Sequence, residues 1–333
     1  MIIFNKAIIS RTDNIGDVVL SLPVAGYLKK VFPEIKIFFL GKAYTQPIID
    51  ACKHIDGFLN REDVLNDNNL LKSFQADFII HLYPDKAIAV AAKKAQIPLR
   101  IGTSHRIFHW FNCNKLVNLS RKKSGLHESL LNLKLLSPIS VASVGIDKIP
   151  DYYGLHHVVN LPSEITTKIA VQKTKIILHP KSKGSAREWP MAYYSNLVKK
   201  FPEKDYIFFI TGSKLEGELI REEAPEIFNH ENVIDMTGKL TLGELITFID
   251  NCDALVACST GPLHISAALG KNTIGLYPPM KPIDPGRWAA LGKKTKILVL
   301  DKTCNDCRVS MKCHCLSSIS TDEVYAELIN IHE

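Results

Sequence analysis

Short apolar runs and longer mixed stretches alternate along this chain. Lys6-Ala-Ile-Ile-Ser10 has the near-continuous apolar pattern of a strand covered on both faces. Residues 36–41, 76–83 and 99–102 repeat that pattern, and helices are predicted from Asp17 to the stop at Pro33 and over 46–53, 86–96 and 127–136. A basic, aromatic stretch, Ser104-His-Arg-Ile-Phe-His-Trp-Phe111, reads as a loop, and such loops in compact domains are usually functional or mobile. Residues 150–167 lose the periodicity and read as a connection. The alternation then restarts, with strands at 175–179, 206–211, 232–235, 253–258, 272–277 and 296–300. Helices are predicted over 190–201 and 216–223, and another begins at the capping-box spacing Thr241-Leu-Gly-Glu244 and ends near Cys252. Two runs of alternating strand and helix imply an α/β protein with two doubly wound parallel sheets. The expected domains are 1–160 and 161–333.

The clearest local signal is Asp253-Ala-Leu-Val-Ala-Cys-Ser-Thr-Gly-Pro-Leu-His-Ile-Ser-Ala-Ala-Leu-Gly270. A buried-strand pattern breaks at Ser259-Thr260-Gly261 and restarts as a helix, with Pro262 in its first turn and Gly270 at its end. Such a turn directs the amides of Thr260, Gly261, Leu263 and His264 outward at the positive end of a helix dipole, which makes a socket for an anion.

At 333 residues, 46% apolar and 23% charged, the chain is long enough for two cores. No segment approaches eighteen uncharged apolar residues, and the opening residues lack signal-peptide features, so a cytoplasmic protein is expected. The net charge of +7 includes local concentrations at Lys93-Lys94, Arg100 to Arg106 and Arg121-Lys122-Lys123. That surplus suits an anionic sugar or the face of an anionic membrane; no nucleic-acid-binding signature accompanies it. Cys304, Cys307, Cys313 and Cys315 crowd together with His314 and have the ligand types of a zinc site, although the second pair has only one intervening residue.

Taken with Gly16-Asp17 and Arg187-Glu188-Trp189-Pro190, the 253–270 stretch resembles the glycosyltransferase family 9 heptosyltransferases, which build the inner core of bacterial lipopolysaccharide. The resemblance spans nearly the whole chain. It implies the GT-B arrangement, with two Rossmann-like domains facing across a cleft, the first holding the acceptor and the second the nucleotide sugar. The last helix, 321–332, is one that GT-B enzymes commonly pack back on the first domain. The implied activity is inverting transfer of heptose, or a related sugar, from a nucleotide diphosphate such as ADP-heptose to a lipopolysaccharide or lipooligosaccharide core acceptor. Peripheral contact with the inner membrane face goes with such an acceptor. A sugar-nucleotide epimerase or hydrolase of the same fold, or a non-catalytic glycan-binding relative, is the alternative. No Asp-x-Asp pair of the kind that holds a metal in many GT-A enzymes is present, so metal-free, cofactor-free chemistry is expected.

The resemblance also assigns roles residue by residue. Asp17, in the first strand-to-helix turn, matches the proposed general base, with Asp13 as its rival. Arg187 falls where the best-known members have Lys in a basic-x-Trp-Pro motif, and would steady the departing diphosphate. Ser182 and Lys183 match positions that touch phosphate, and Leu240 matches one that lines the base. Thr260, Gly261 and His264 belong to the phosphate end of the helix. Ser259 stands where many relatives have Asp, which puts in doubt a carboxylate grip on the sugar. Glu216 is a candidate ribose contact. Arg11, Arg100, Arg106, Arg121, His127 and Glu128 belong to the half that holds the acceptor, without individual contacts assigned.

Overall fold

The computed structural model describes residues 4–67, 69–139, 143–304 and 313–331. The chain divides into two compact units, 1–155 and 156–333. The first contains β1 (Lys6–Ser10), β2 (Lys36–Gly41), β3 (Gly57–Asn60), β4 (Phe78–His81), β5 (Leu99–Thr103) and β6 (Lys115–Val117), in the order β3-β2-β1-β4-β5-β6. The second contains β7 (Thr174–His179), β8 (Tyr206–Ile210), β9 (Val233–Asp235), β10 (Ala254–Cys258), β11 (Asn272–Tyr277) and β12 (Thr295–Val299), in the order β12-β11-β10-β7-β8-β9. All pairings are parallel. Each order is that of a doubly wound dinucleotide-binding sheet, which reverses direction between its first and fourth strands. The central strands are buried over most of their length, as their apolar runs require: Ile8, Ile9, Phe78 and Ile79 in the first unit, Ile176, Leu178, Leu255 and Val256 in the second.

Several elements depart from expectation. The helix predicted from Asp17 to Pro33 is two, Ile15–Val19 and Leu22–Val31, because Pro23 in the first turn of the second helix has no amide with which to continue the first. Strands β3 and β6 are too short to leave a periodic signal. The 104–111 stretch, read as a loop, holds the helix Ile107–Asn112, and the connection at 150–167 runs into a helix at Ser163–Ile169.

The second unit is tied together by Trp189. Its indole is buried, meets Tyr193 and Tyr194 edge to face at 5.4 and 4.8 Å, and donates Nε1–H to the Ile319 carbonyl at 2.9 Å. The Tyr193 hydroxyl donates to Ser317 O at 3.0 Å. The last helix, Thr321–Ile329, begins at a Ser320/Glu323 capping box and lies on Met191–Lys199 within its own unit. Phe201 meets Tyr325 at 4.8 Å and Lys200 pairs with Asp322 at 2.6 Å, which fastens this helix to its own unit.

Trp189→Ala removes an indole that fills the core and fastens the C-terminal segment. It should lower the denaturant-measured stability of the second unit by about 3–5 kcal/mol. A loss under about 1 kcal/mol, the range of ordinary surface changes, would show that the C-terminal segment is held elsewhere.

Candidate active site

In a doubly wound sheet, ligands bind beyond the carboxyl ends of the strands where the order reverses. In the first unit that point lies between β1 and β4, and both connections leaving it carry charge. Register pairs Ser10 with His81, so Arg11 and Leu82 leave the sheet side by side. The Thr12 hydroxyl bonds Asp85 at 3.1 Å, and Asp85 accepts from Ala87 and Ile88 amides to cap the next helix.

Arg11 is buried and shared among carboxylates. Its Nε and Nη2 donate to the two oxygens of Asp13 at 2.9 and 3.0 Å. Nη2 also donates to Asp17 Oδ1 at 2.6 Å, and Nη1 reaches Glu128 Oε1 at 2.8 Å and Asn132 Oδ1 at 2.9 Å. Arg121 closes the far side, with Nε on Glu128 Oε1 at 2.9 Å and Nη2 on Asn132 Oδ1 at 2.7 Å. Three carboxylates thus meet two guanidinium groups. Burial opposes the charge on Arg11, but Asp13, Glu128 and Asp17 outweigh it and hold the guanidinium firmly protonated.

Asp13 and Asp17 differ within this cluster. Arg11 occupies both oxygens of Asp13, whereas it touches only Oδ1 of Asp17; among the described residues Oδ2 has no hydrogen-bond partner. Burial pushes the Asp17 carboxyl up to about 6 against the pull of Arg11, with Asp13 and Glu128 adding to the rise. Asp17 is therefore a carboxylate with an open oxygen and a proton affinity near neutrality, the properties of a general base.

The sequence placed Glu128 in the acceptor half without a contact and passed over Asn132. Their signal was present: they stand four apart in a Leu-rich helix, so both polar side chains fall on one face. The helix docks by Ser129 Oγ and Asn132 Nδ2 donating to Leu20 O at 2.9 and 3.2 Å. Of the residues expected in the acceptor half, Arg11, Arg121 and Glu128 lie in this cluster, and the Arg11 donors are already engaged. Arg100 is spent on the backbone, donating to Asn112 O and Ile97 O, because it pins the connection from β5 to β6. His127 is buried and caps its helix, its Nδ1 accepting from the Ser129 amide at 3.2 Å. Arg106 is exposed at the start of the Ile107–Asn112 helix.

The corresponding reversal in the second unit lies between β7 and β10. After β7, Lys183 at φ 49° and Gly184 at φ 78° turn the loop back toward Trp189. Glu188 organises it: Oε1 accepts from the Ser182 amide and hydroxyl, both at 2.9 Å, and Oε2 accepts from Lys181 at 3.3 Å. Lys181 also holds Glu223 at 2.7 Å. Ser182 and Lys181 are thus committed inside the loop rather than presented to a phosphate, while Lys183 is exposed and Arg187 half-buried beside the Trp189 anchor.

After β10, Thr260 begins the helix Gly261–Ala268 with its side chain uncapping; its buried hydroxyl has no hydrogen-bond partner among the described residues. The Gly261 and Leu263 amides, in the first turn, have no acceptor within the helix. The expected outward amide of His264 instead donates to Thr260 O at 3.4 Å, and the His264 side chain is buried. The Tyr277 hydroxyl, near Ser259, donates to Trp288 O at 2.8 Å and accepts from the Ala290 amide at 3.1 Å. Glu216 is not a free ribose acceptor: it forms the capping box of the helix Lys214–Glu223, accepting from the Ser213 amide at 2.6 Å. Leu240 is half-buried just before the Thr241 cap.

Cys304, Cys313 and Cys315 are buried, and burial and the other two raise the Cys315 thiol to about 11. Cys307 lies outside the described residues, and among those described no three His, Cys, Asp or Glu side chains are grouped to hold a metal.

The profile of glycosyltransferase family 9 (heptosyltransferase) matches residues 69–315. The chain belongs to this glycosyltransferase family. A lipopolysaccharide heptosyltransferase 3 of Escherichia coli is 23% identical over 276 residues, which cover 79% of this chain and 80% of that protein. Among solved structures, the E. coli ADP-heptose lipopolysaccharide heptosyltransferase II superposes with a TM-score of 0.76 at 17% identity, covering 98% of both chains. A family 9 glycosyltransferase of Veillonella parvula superposes at 0.75 with 19% identity, covering 99% of this chain and 97% of its own. The fold is therefore the GT-B fold of the heptosyltransferases, and the protein is a glycosyltransferase.

Arg11→Met keeps the volume but strands the carboxylates. Without the cation their folded-state affinity for protons rises, so the penalty is full above that range and is relieved as they take up protons in acid. We expect a loss of about 3–5 kcal/mol at pH 8 that shrinks toward pH 5, read by urea unfolding. A deficit independent of pH would mean that the cluster is not held by charge.

Proposed function

We propose that the protein transfers heptose, or a closely related sugar, with inversion from a nucleotide diphosphate, ADP-heptose being the donor its relatives favour, to a saccharide of the lipopolysaccharide or lipooligosaccharide core. The observation that carries this reading is the open, near-neutral carboxylate of Asp17 at the reversal point of the first sheet. Asp17 takes the proton of the acceptor hydroxyl as that oxygen attacks the anomeric carbon and the bond to the diphosphate breaks on the opposite face. Arg11 holds the carboxylate in place and keeps it from binding its proton too tightly. The first unit, 1–155, is accordingly the acceptor domain.

The second unit takes the donor. The Thr260 hydroxyl, which has no partner among the described residues, and the Gly261 and Leu263 amides supply hydrogen bonds where a diphosphate would rest, and Arg187 supplies the compensating charge. Lys183, on its exposed left-handed turn, is the other cation of that loop within reach of solvent. His264 packs beneath the turn, and Leu240 offers an apolar face to the base. In this reading helix amides and Arg187 do the work of a divalent cation, in keeping with a sequence that lacks an Asp-x-Asp pair. An acceptor anchored in lipid brings the protein to the inner face of the membrane; among the described residues no helix is long and apolar enough to cross one.

Asp17→Ala should lower kcat by about 10²–10⁴ while ADP affinity, read by calorimetry, stays near that of the parent. Arg187→Ala should lower kcat by about 10²–10³ and weaken ADP binding as well. Equal and small effects of the two substitutions on both quantities would overturn the assignment.

A further inference from the structure

The Ile107–Asn112 helix is turned inside out. Ile107, Trp110 and Phe111 are spaced three and four apart and so share one face, the pattern that normally marks a core-facing stripe. Here that face meets solvent: the three side chains are 71, 59 and 68% exposed. The opposite face carries His109, fully buried, with Nδ1 3.1 Å from Thr103 O and its ring 5.5 Å from that of His81. Gly102 makes this seating possible, since a Cβ there would come within 2.6 Å of His109 Nδ1 and 2.9 Å of Cys113 Sγ. The outward face is also held in place. Trp110 donates Nε1–H to Ser104 O at 2.7 Å, and Lys93 donates to Phe111 O at 2.8 Å, across the last turn. Leu116, on the edge strand β6, is exposed as well.

The charge around this face has one sign. Residues 86–127 contain nine Lys and Arg and no Asp or Glu. Arg100 and Arg121 are committed internally, but Arg106 at the start of the helix, Lys93 at its end and Lys115 beside it in β6 are exposed. Rigid aromatic side chains ringed by cations match the boundary of a bilayer with anionic headgroups: indole and phenyl rings settle at headgroup depth while Lys and Arg meet the phosphates. Because the sheet is parallel, the segment leaving β5 toward this helix and the segment leaving β1 toward Asp17 emerge at the same edge.

We propose that the Ile107–Asn112 helix and its ring of cations are the surface by which the protein docks on an anionic lipid bilayer, with Ile107, Trp110 and Phe111 entering the headgroup layer. This deepens the acceptor side of the function proposed above, since docking there turns the Asp17 edge of the sheet toward lipid-borne acceptors. Lipid binding is nevertheless measured without turnover, so its failure is separate from failure of the transfer reaction.

The test is co-sedimentation of the full chain with vesicles of phosphatidylcholine containing about one third phosphatidylglycerol, with pure phosphatidylcholine as the comparison. Binding should be at least about tenfold stronger to the anionic vesicles and fall as salt is raised. The double variant Trp110→Ser/Phe111→Ser should lose about tenfold or more of that binding, with unchanged melting and unchanged turnover of a deacylated, soluble acceptor. Arg106→Glu/Lys115→Glu, which leaves the apolar face intact, should lose binding to a similar degree. Variants that bind as the parent does, or a parent that ignores both vesicle types, would overturn the proposal. So would a parent dimer that the aromatic substitutions convert to monomer without any change in lipid binding, because the face would then be covered by a second copy.

Discussion

Arg11 carries a positive charge into the interior of the first unit, and the arrangement around it follows from the need to compensate that charge. A lone buried guanidinium is prohibitively costly, so it is met by three carboxylates, which would repel one another without it. The contest is uneven. Asp13 is clasped at both oxygens, Glu128 is shared with Arg121, and Asp17 is touched once and left partly open. The same burial that makes the cluster expensive also raises the proton affinity of its least engaged member. A structural ion cluster therefore leaves one carboxylate near neutrality at the carboxyl edge of the sheet, where a doubly wound fold receives its ligand.

The second unit solves a different problem, that of holding a loop rich in small and basic residues in one shape. Glu188 does so from within by accepting from Ser182 and Lys181, and Trp189 does so from below by burying its indole against Tyr193, Tyr194 and the C-terminal segment. The residues that look most chemical in the loop are in large part its scaffold. Outside that scaffold stand the Thr260 hydroxyl, which has no hydrogen-bond partner among the described residues, and the first amides of the helix that follows.

The fold was legible because parallel strands buried on both faces leave unbroken apolar runs, as in Lys6–Ser10 and Ala254–Cys258, and because Pro262 and Gly270 bracket a helix by backbone chemistry alone. Asp17 stood out through its place in the first strand-to-helix turn, and its role came only from the family resemblance. What sequence spacing cannot convey is which polar groups satisfy one another across a fold. Glu128 and Asn132 reach Arg11 from more than a hundred residues away. Glu216, His127 and Ser182 have the chemistry of ligand contacts, yet each is consumed by a cap or a loop bond a few residues off. The Ile107–Asn112 helix was missed because it is only six residues long and its apolar stripe faces outward; the usual rule of reading apolar positions as interior fails there.

The central claim is that Arg11 and its partners poise Asp17 to accept a proton near neutrality, and the pH dependence of kcat/KM for the acceptor tests it most directly. Activity should fall on the acid side with an apparent pKa of about 6, as Asp17 becomes protonated. Because Glu128 raises the proton affinity of Asp17, Glu128→Gln should move that limb to lower pH. A profile flat from about pH 5 to pH 8, or a limb that Glu128→Gln leaves in place, would contradict the account.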